Sequence, residues 1–382
     1  MILANARVML PEGIRDGLEI LVQNGVIAAV RERGRETDVV DLQGNYLVPG
    51  FIDLHVHGGN GRDAMEASED AFREICDFHA SGGTTSLLLT TVTAPIPDIV
   101  QTLRAIRAAQ PALPQIAGAH VEGPFISRRR VGAQRAEFIS DPLPALTEPI
   151  LQFADVLKRV TLAPELPGAL ELVGELQQRG VSASAGHSDA WEEEVRAAFE
   201  RGLRSSTHTF NCMSSARRRG RARIAGLLEF ALSEPEMSCE LIADGHHVTS
   251  TLMKMLYRAK GARGICLVTD ATAGAGLSDG TIFQLGGREC VVSDGACLLA
   301  DRSALAGGAA RMIDLVKTMI EEVGVSLSDA VLMATENPAR AIGLESRKGA
   351  IAVGADADLV VISPELKVRQ TYLGGRKIFQ CG

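Results

Sequence analysis

The sequence predicts an α/β protein: a TIM-like (β/α)8 barrel carrying a small β-sandwich domain formed by both chain termini. Three observations carry that prediction. Eight short apolar stretches each run into polar residues, helix-like segments lie between them, and only the two ends of the chain read as continuous β-structure. Strand–helix alternation argues for a parallel sheet, and eight such units within roughly 220 residues suit a closed barrel. No GxGxxG follows a strand, which weighs against a doubly wound open sheet.

Taken in order, residues 1–48 form the N-terminal part of the small domain. There "GLEILVQNGVIAAV" places Asn24-Gly25 between two apolar runs, the strongest short hairpin signal. Residues 49–344 form the barrel. Its strands are expected in LVPGFIDLHVH, TTSLLLTT, IAGAHVEG, RVTLAPE, SASAGH, RSSTHTF, ELIADGHH and ICLVTDA, with helices in AFREICDFHA, ALELVGELQQRG and AWEEEVRAAFERG. Residues 345–382 return to β with KGAIAVGADADLVVISP and VRQTYLGGRKIF, completing the small domain.

Composition removes several function classes. A net charge of −8 argues against a nucleic-acid surface. No run of 18 apolar residues suggests a membrane span, and MILANARVML lacks the plan of a signal peptide, so a cytoplasmic protein is expected. Seven cysteines without a CxxC pair read as reduced thiols, mostly small core residues.

The polar strand ends carry the chemistry. Alternation puts His55 and His57 on one face of the first strand. Later strands end in His120 and Glu122, His187, His208, His246-His247 and Asp270. Seven of the eight histidines lie at these ends, and barrel chemistry sits at the C-terminal ends of the strands. His79 falls in a helical stretch and is expected on the surface. One strand-end histidine is ordinarily structural, bonded to a backbone carbonyl. Several buried imidazoles converging with two carboxylates are costly to desolvate without a cation among them, and this donor set suits zinc, iron or manganese. His120 is expected beside the site, orienting a ligand, and only one of His246 and His247 should face the pocket.

These residues and their surroundings resemble the amidohydrolase superfamily and, within it, the N-acetylglucosamine-6-phosphate deacetylase family. PGFIDLHVHGG, HVEGPF, SAGHS, THTFNCM, IADGHHV, LVTDAT and ATENPARAIG carry the resemblance, which covers essentially the whole chain. It implies release of acetate from N-acetylglucosamine 6-phosphate with a divalent metal, zinc or iron, one or two ions per chain. Glu122, His187 and His208 match the ligands of the common metal site. His55 and His57 match the pair that holds an extra ion, with Glu122 as bridge, and Asp270 matches the catalytic aspartate that also meets the metal. Asn211, Cys212, Arg219 and His247 match contacts to the sugar phosphate, and Leu305, Ala306 and Gly307 match a substrate-lining loop. The family's arginine reaches across a dimer interface, so Arg219 implies a homodimer.

Two places depart from the family pattern. Gly132-Ala133-Gln134 stands where a Gly-Ala-His-like motif is usual; the resemblance implies Ala133 and Gln134 at the substrate, where glutamine can donate a hydrogen bond but cannot carry a proton or a charge. Arg219-Gly220-Arg221-Ala222 replaces Arg-Glu-Pro-Gly, within a run of five arginines from Ala216 to Arg223. N-acetylgalactosamine 6-phosphate or another N-acyl sugar is therefore the alternative substrate. A cyclic amidase with a carboxylated lysine lacks its lysine, because Lys158 falls at the start of the fourth strand. A non-catalytic phosphosugar-binding scaffold is the remote alternative, but it has no reason to keep every ligand and the base.

Overall fold

The computed structural model describes residues 1–34 and 39–381; residues 35–38, within the expected segment 1–48, and 382 lie outside the described residues. The barrel strands are Phe51–Val56, Thr84–Thr91, Ile116–Glu122, Leu157–Leu162, Ser182–Ala185, Ser205–Ser206, Ser238–Leu241 and Ile265–Leu267. Each pairs in parallel with the next. The first and last meet at a parallel bridge between Val56 and Ala271. Asp53 fastens that seam: its carboxylate accepts the Thr269 hydroxyl at 2.6 Å and the Thr269 backbone N–H at 3.3 Å. Strands buried on both faces explain why these stretches read as near-continuous apolar runs.

The terminal strands form one mixed sheet, as expected from both chain ends. Ile2–Leu10 pairs antiparallel with Gly13–Gln23 and parallel with Tyr46–Pro49. Tyr46–Pro49 in turn pairs with Leu359–Ile362, so the two ends of the chain meet at that junction. Asn24 and Gly25 both take left-handed backbone angles, φ 50° and 81°, and join Gly13–Gln23 to Val26–Glu32 as the sequence predicts.

A three-stranded antiparallel sheet, Ile282–Leu285, Arg288–Ser293 and Ala296–Leu299, interrupts the chain between the eighth barrel strand and the helix Met312–Thr318. The sequence reading does not anticipate it. Its inner face packs Phe283, Leu285, Val292 and Leu299 against Val92 and Ala273 at the barrel mouth.

His79 corrects the surface expectation: it is fully buried. The helix Glu69–Ser81 buries Phe72, Ile75, Cys76 and His79, an i, i+3, i+4, i+7 stripe that faces the core. His79 Nε2 donates to the carbonyl of Gly58 at 3.0 Å, beside the end of the first strand. Its Nδ1 is buried without a partner, and burial pushes the imidazole down from 6.5 to about 4. Between those two values the unfolded chain binds a proton that the folded chain refuses. The stability from this group is therefore complete above about pH 6.5 and lost as pH falls through about 4, roughly 3 kcal/mol in all. Replacing His79 with Gln keeps a donor for Gly58 and removes the titration. Thermal unfolding of the wild type should fall faster than that of this variant between pH 7 and pH 4.5, and parallel curves would place the acid sensitivity elsewhere.

Candidate metal centre and cavity

Five side chains, four imidazoles and one carboxylate, converge inside the barrel mouth. Glu122 Oε1 lies 3.1 Å from His208 Nε2 and 3.3 Å from His187 Nε2, while Oε2 lies 3.3 Å from His57 Nε2. The two imidazole pairs are equally close: His55 and His57 at 3.2 Å, His187 and His208 at 3.1 Å. Two triads thus share one carboxylate, His55–His57–Glu122 and Glu122–His187–His208. Asp270 Oδ1 stands 3.3 Å from both His55 and His57.

The hydrogen bonds behind the cluster fix which nitrogens face it. His187 Nδ1 lies 2.8 Å from the Arg130 carbonyl, His57 Nδ1 3.3 Å from the Thr90 carbonyl and His55 Nδ1 3.3 Å from the Glu240 carboxylate. Those oxygens only accept, so each Nδ1 carries the proton and each Nε2 presents a lone pair to the centre. Lone pairs and carboxylates facing one another need a positive charge between them. A tetrahedral zinc-type site with metal–nitrogen bonds of 2.0–2.1 Å spaces its ligand atoms by about 3.3 Å, which is the separation found. The donor set therefore fits a divalent cation. The same preference for positive charge shows in His55: burial opposes charge on it, but Asp270 and Glu122 outweigh burial and hold that imidazole well above its usual range. Burial likewise raises Asp270, but His55 and His57 overcome it and bring the carboxyl to about 2.

Three of these residues sit in strained backbone. His187, His208 and Asp270 have φ of 47°, 31° and 49°, a left-handed region that non-glycine residues enter at a cost and that clusters at functional sites. Each stands two or three residues beyond the end of a strand, where the turn aims the side chain back over the barrel mouth. Phe210 and Cys212 continue the pattern with φ of 82° and 46°. Close packing demands glycine nearby: a Cβ on Gly132 would come within 2.7 Å of Cys212 Sγ, and one on Gly307 within 2.7 Å of the Asp270 carbonyl.

The cluster opens into a cavity of about 230 Å³. Of the expected residues, His57, Glu122, His187, His208, Asp270, Ala133, Gln134, Asn211, Cys212, His247, Leu305 and Gly307 line it. His55 lies buried beneath, and Ala306 turns away into the core of the three-stranded sheet. His247 faces the cavity with Nδ1 2.8 Å from Asp244, whereas His246 is exposed. Arg219 does not line the cavity; it is half exposed, ion-paired with Glu193 and stacked over Trp191. Gln134 spans Thr93 and Glu122: its oxygen accepts the Thr93 N–H at 2.7 Å, and its NH2 donates to Glu122 Oε2 at 2.6 Å. His120 stacks edge-on against His55, with ring centres 4.6 Å apart, and hydrogen-bonds Thr161 at 2.8 Å. It touches a candidate ligand through its ring, not through a hydrogen bond. Lys158 sits near the start of the fourth strand, far from the strand ends. A larger cavity of about 610 Å³ is lined by Met65, Val92, Arg135 and Phe283 among others, and none of the candidate ligands lines it.

Sequence reasoning missed Asp53, Arg159 and Glu240. The last two stand at the first positions of the expected strands RVTLAPE and ELIADGHH, yet they lie within strands and are fully buried. A charged residue inside an apolar run was the available signal.

Comparison with known proteins agrees with this geometry. The model of the Amidohydrolase family matches residues 46–378. The N-acetylglucosamine-6-phosphate deacetylase of Bacillus subtilis (strain 168) is 35% identical over 379 residues, spanning 96% of this chain and 94% of that protein. The N-acetylgalactosamine-6-phosphate deacetylase of Escherichia coli O157:H7 is 33% identical, spanning 98% of each. A solved structure of the N-acetyl-D-glucosamine-6-phosphate deacetylase of Mycobacterium smegmatis holds N-acetyl-D-glucosamine-6-phosphate in an aspartate-to-alanine mutant. It superposes with a TM-score of 0.93 at 30% identity, covering 100% of this chain and 99% of that one. With eight parallel strands, two histidine–carboxylate triads and relatives alike over nearly their whole length, the chain belongs to the amidohydrolase family, on the branch that holds these deacetylases.

Proposed function

We propose that the protein hydrolyses the acetamide of N-acetylglucosamine 6-phosphate, giving glucosamine 6-phosphate and acetate. The observation that carries this reading is the convergence of Asp270 with two triads sharing Glu122, in a chain so like the deacetylases along its length. One or two divalent cations, zinc or iron, held by Glu122, His187 and His208 and by His55 and His57, would acidify water and polarise the amide carbonyl. Asp270 accepts the proton of the water that attacks the amide carbon and delivers it to the departing nitrogen. As a carboxylate Asp270 is ionised at neutral pH, as a base must be. Gln134 commits its oxygen to Thr93 and one N–H to Glu122, so its second N–H is the group it can offer the substrate carbonyl. Ala133, Asn211, Cys212, His247, Leu305 and Gly307 shape the sugar pocket; Ala306 supports that loop from the core beneath it.

Arg219 lies on the exposed hairpin Arg217–Ile224, outside the cavity of its own chain. It would meet the phosphate of a second copy in a homodimer. We place the catalytic unit at residues 49–344, the accessory β-unit at 1–48 and 345–382, and the enzyme in the cytoplasm.

Acetate release tests the reading. Zinc- or iron-reconstituted protein should turn over N-acetylglucosamine 6-phosphate faster than its galactosamine epimer or the unphosphorylated sugar. Replacing Arg219 with Ala should raise KM about tenfold for the phosphorylated sugar only, the scale of a charge-assisted hydrogen bond. Equal effects on both sugars would remove Arg219 from phosphate binding. Faster turnover of the galactosamine epimer would favour the second reading, which the Escherichia coli relative supports. No acetate from any of them, with metal bound, would reject deacetylation.

A further inference from the structure

Two charged side chains lie where a barrel interior is ordinarily filled with branched apolar groups. Arg159 in the fourth strand and Glu240 in the seventh are both fully buried. Arg159 Nε is 3.0 Å from Glu240 Oε1, and its Nη2 reaches the hydroxyls of Ser205 and, at 3.2 Å, Ser184. The other carboxylate oxygen, Oε2, accepts from two directions: His55 Nδ1 at 3.3 Å and the backbone N–H of His208 at 3.1 Å. His55 and His208 belong to different triads, so one buried oxygen touches both halves of the ligand cluster.

A buried ion pair is a poor stability device, because desolvation offsets much of its attraction. What this pair supplies is an acceptor that cannot move. A carboxylate has no proton to give, so the proton between it and His55 stays on Nδ1, and Nε2 keeps its lone pair toward Glu122 and Asp270. At His208 the same oxygen anchors a backbone held at φ 31°, and with it the direction of that side chain. Arg159 in turn faces the other oxygen as an ion pair at 3.0 Å, a contact of charge without the alignment of a hydrogen bond, and is itself held by Ser184 and Ser205.

We infer that Glu240, held by Arg159, is a positioning residue common to both triads, setting the tautomer of His55 and the backbone of His208. This rests on the metal-holding role proposed for the cluster. Replacing Glu240 with Gln gives that position an amide NH2. Facing His55, that group donates to Nδ1 and moves the imidazole proton to Nε2, which then cannot bind a cation; facing Arg159, it opposes another donor.

The test is zinc affinity, read by chelator competition on metal-stripped, zinc-titrated full-length protein. Glu240→Gln should weaken zinc binding about 10- to 100-fold, the usual cost of losing a partner behind a ligand. Glu240→Asp, which keeps an acceptor, should lose less. Unchanged affinity in Glu240→Gln overturns the inference whatever happens to thermal stability, and equal loss in both variants assigns the effect to packing and overturns it too. Should neither variant fold, zinc-loaded wild type labelled with ¹⁵N-histidine decides: His55 must show a protonated Nδ1, and an unprotonated one overturns the assignment. If the wild type itself binds no zinc, the metal-holding reading fails first. If it binds zinc and Glu240→Gln binds it equally well, only the role of Glu240 fails.

Discussion

Replacing Asp270 with Asn should lower kcat for acetate release by about 10³-fold, within the range general acid–base catalysis contributes, and leave bound metal in place. Asparagine matches aspartate in shape and keeps an oxygen where Oδ1 now stands, 3.3 Å from His55 and His57. It cannot take a proton from water or return one to the amine. The proton transfers exist only in the transition state, so kcat and kcat/KM should fall together while KM stays within about twofold. Metal content of the same preparation separates this from loss of a ligand: an inactive variant without metal would show that Asp270 mainly holds the ion. Full activity with metal bound would remove it from the chemistry altogether.

How much of this site was legible in the sequence follows from what each residue does to the pattern around it. His55 and His57 stand out because polar residues interrupt an apolar strand at a spacing of two, and the strand-end rule then gathers Glu122, His187, His208 and Asp270. Asn24-Gly25 was legible because its turn is a local matter of backbone angles. The three-stranded sheet over the barrel mouth carried the same kind of signal, Gly286-Gly287 and Asp294-Gly295, all four at positive φ, but its strands are short and half exposed. His79 was misplaced although its spacing from Phe72 and Ile75 puts it on the buried stripe; residue type outweighed periodicity. Arg159 and Glu240 are the deeper omission. Their pairing joins the fourth and seventh strands across the closed barrel, a relation that exists only once the sheet has curled, and no window of sequence contains both.

Glu122 should be the residue whose loss costs the cluster most metal, because it alone belongs to both triads. Glu122→Ala leaves each triad with two imidazoles and no anion. A cation there would have only part of its charge compensated, by Asp270 beside His55 and His57, in a buried site, which is unfavourable for the same reason that the carboxylate now needs a cation. The double replacement His55→Ala and His57→Ala spares Glu122, His187 and His208, and should remove up to one ion per chain while the other stays. Glu122→Ala should remove both. Loss of the cation's several kcal/mol of charge stabilisation puts the fall in kcat/KM for Glu122→Ala near 10³-fold or beyond. Added zinc should not restore it, whereas it should partly restore a variant such as Gln134→Ala, in which Glu122 loses only the hydrogen bond at 2.6 Å. Atomic absorption on chelator-dialysed protein reads the ion count directly. A Glu122→Ala protein that retains as much metal as the histidine double variant would mean that the two triads are independent and that the shared carboxylate does not bridge them.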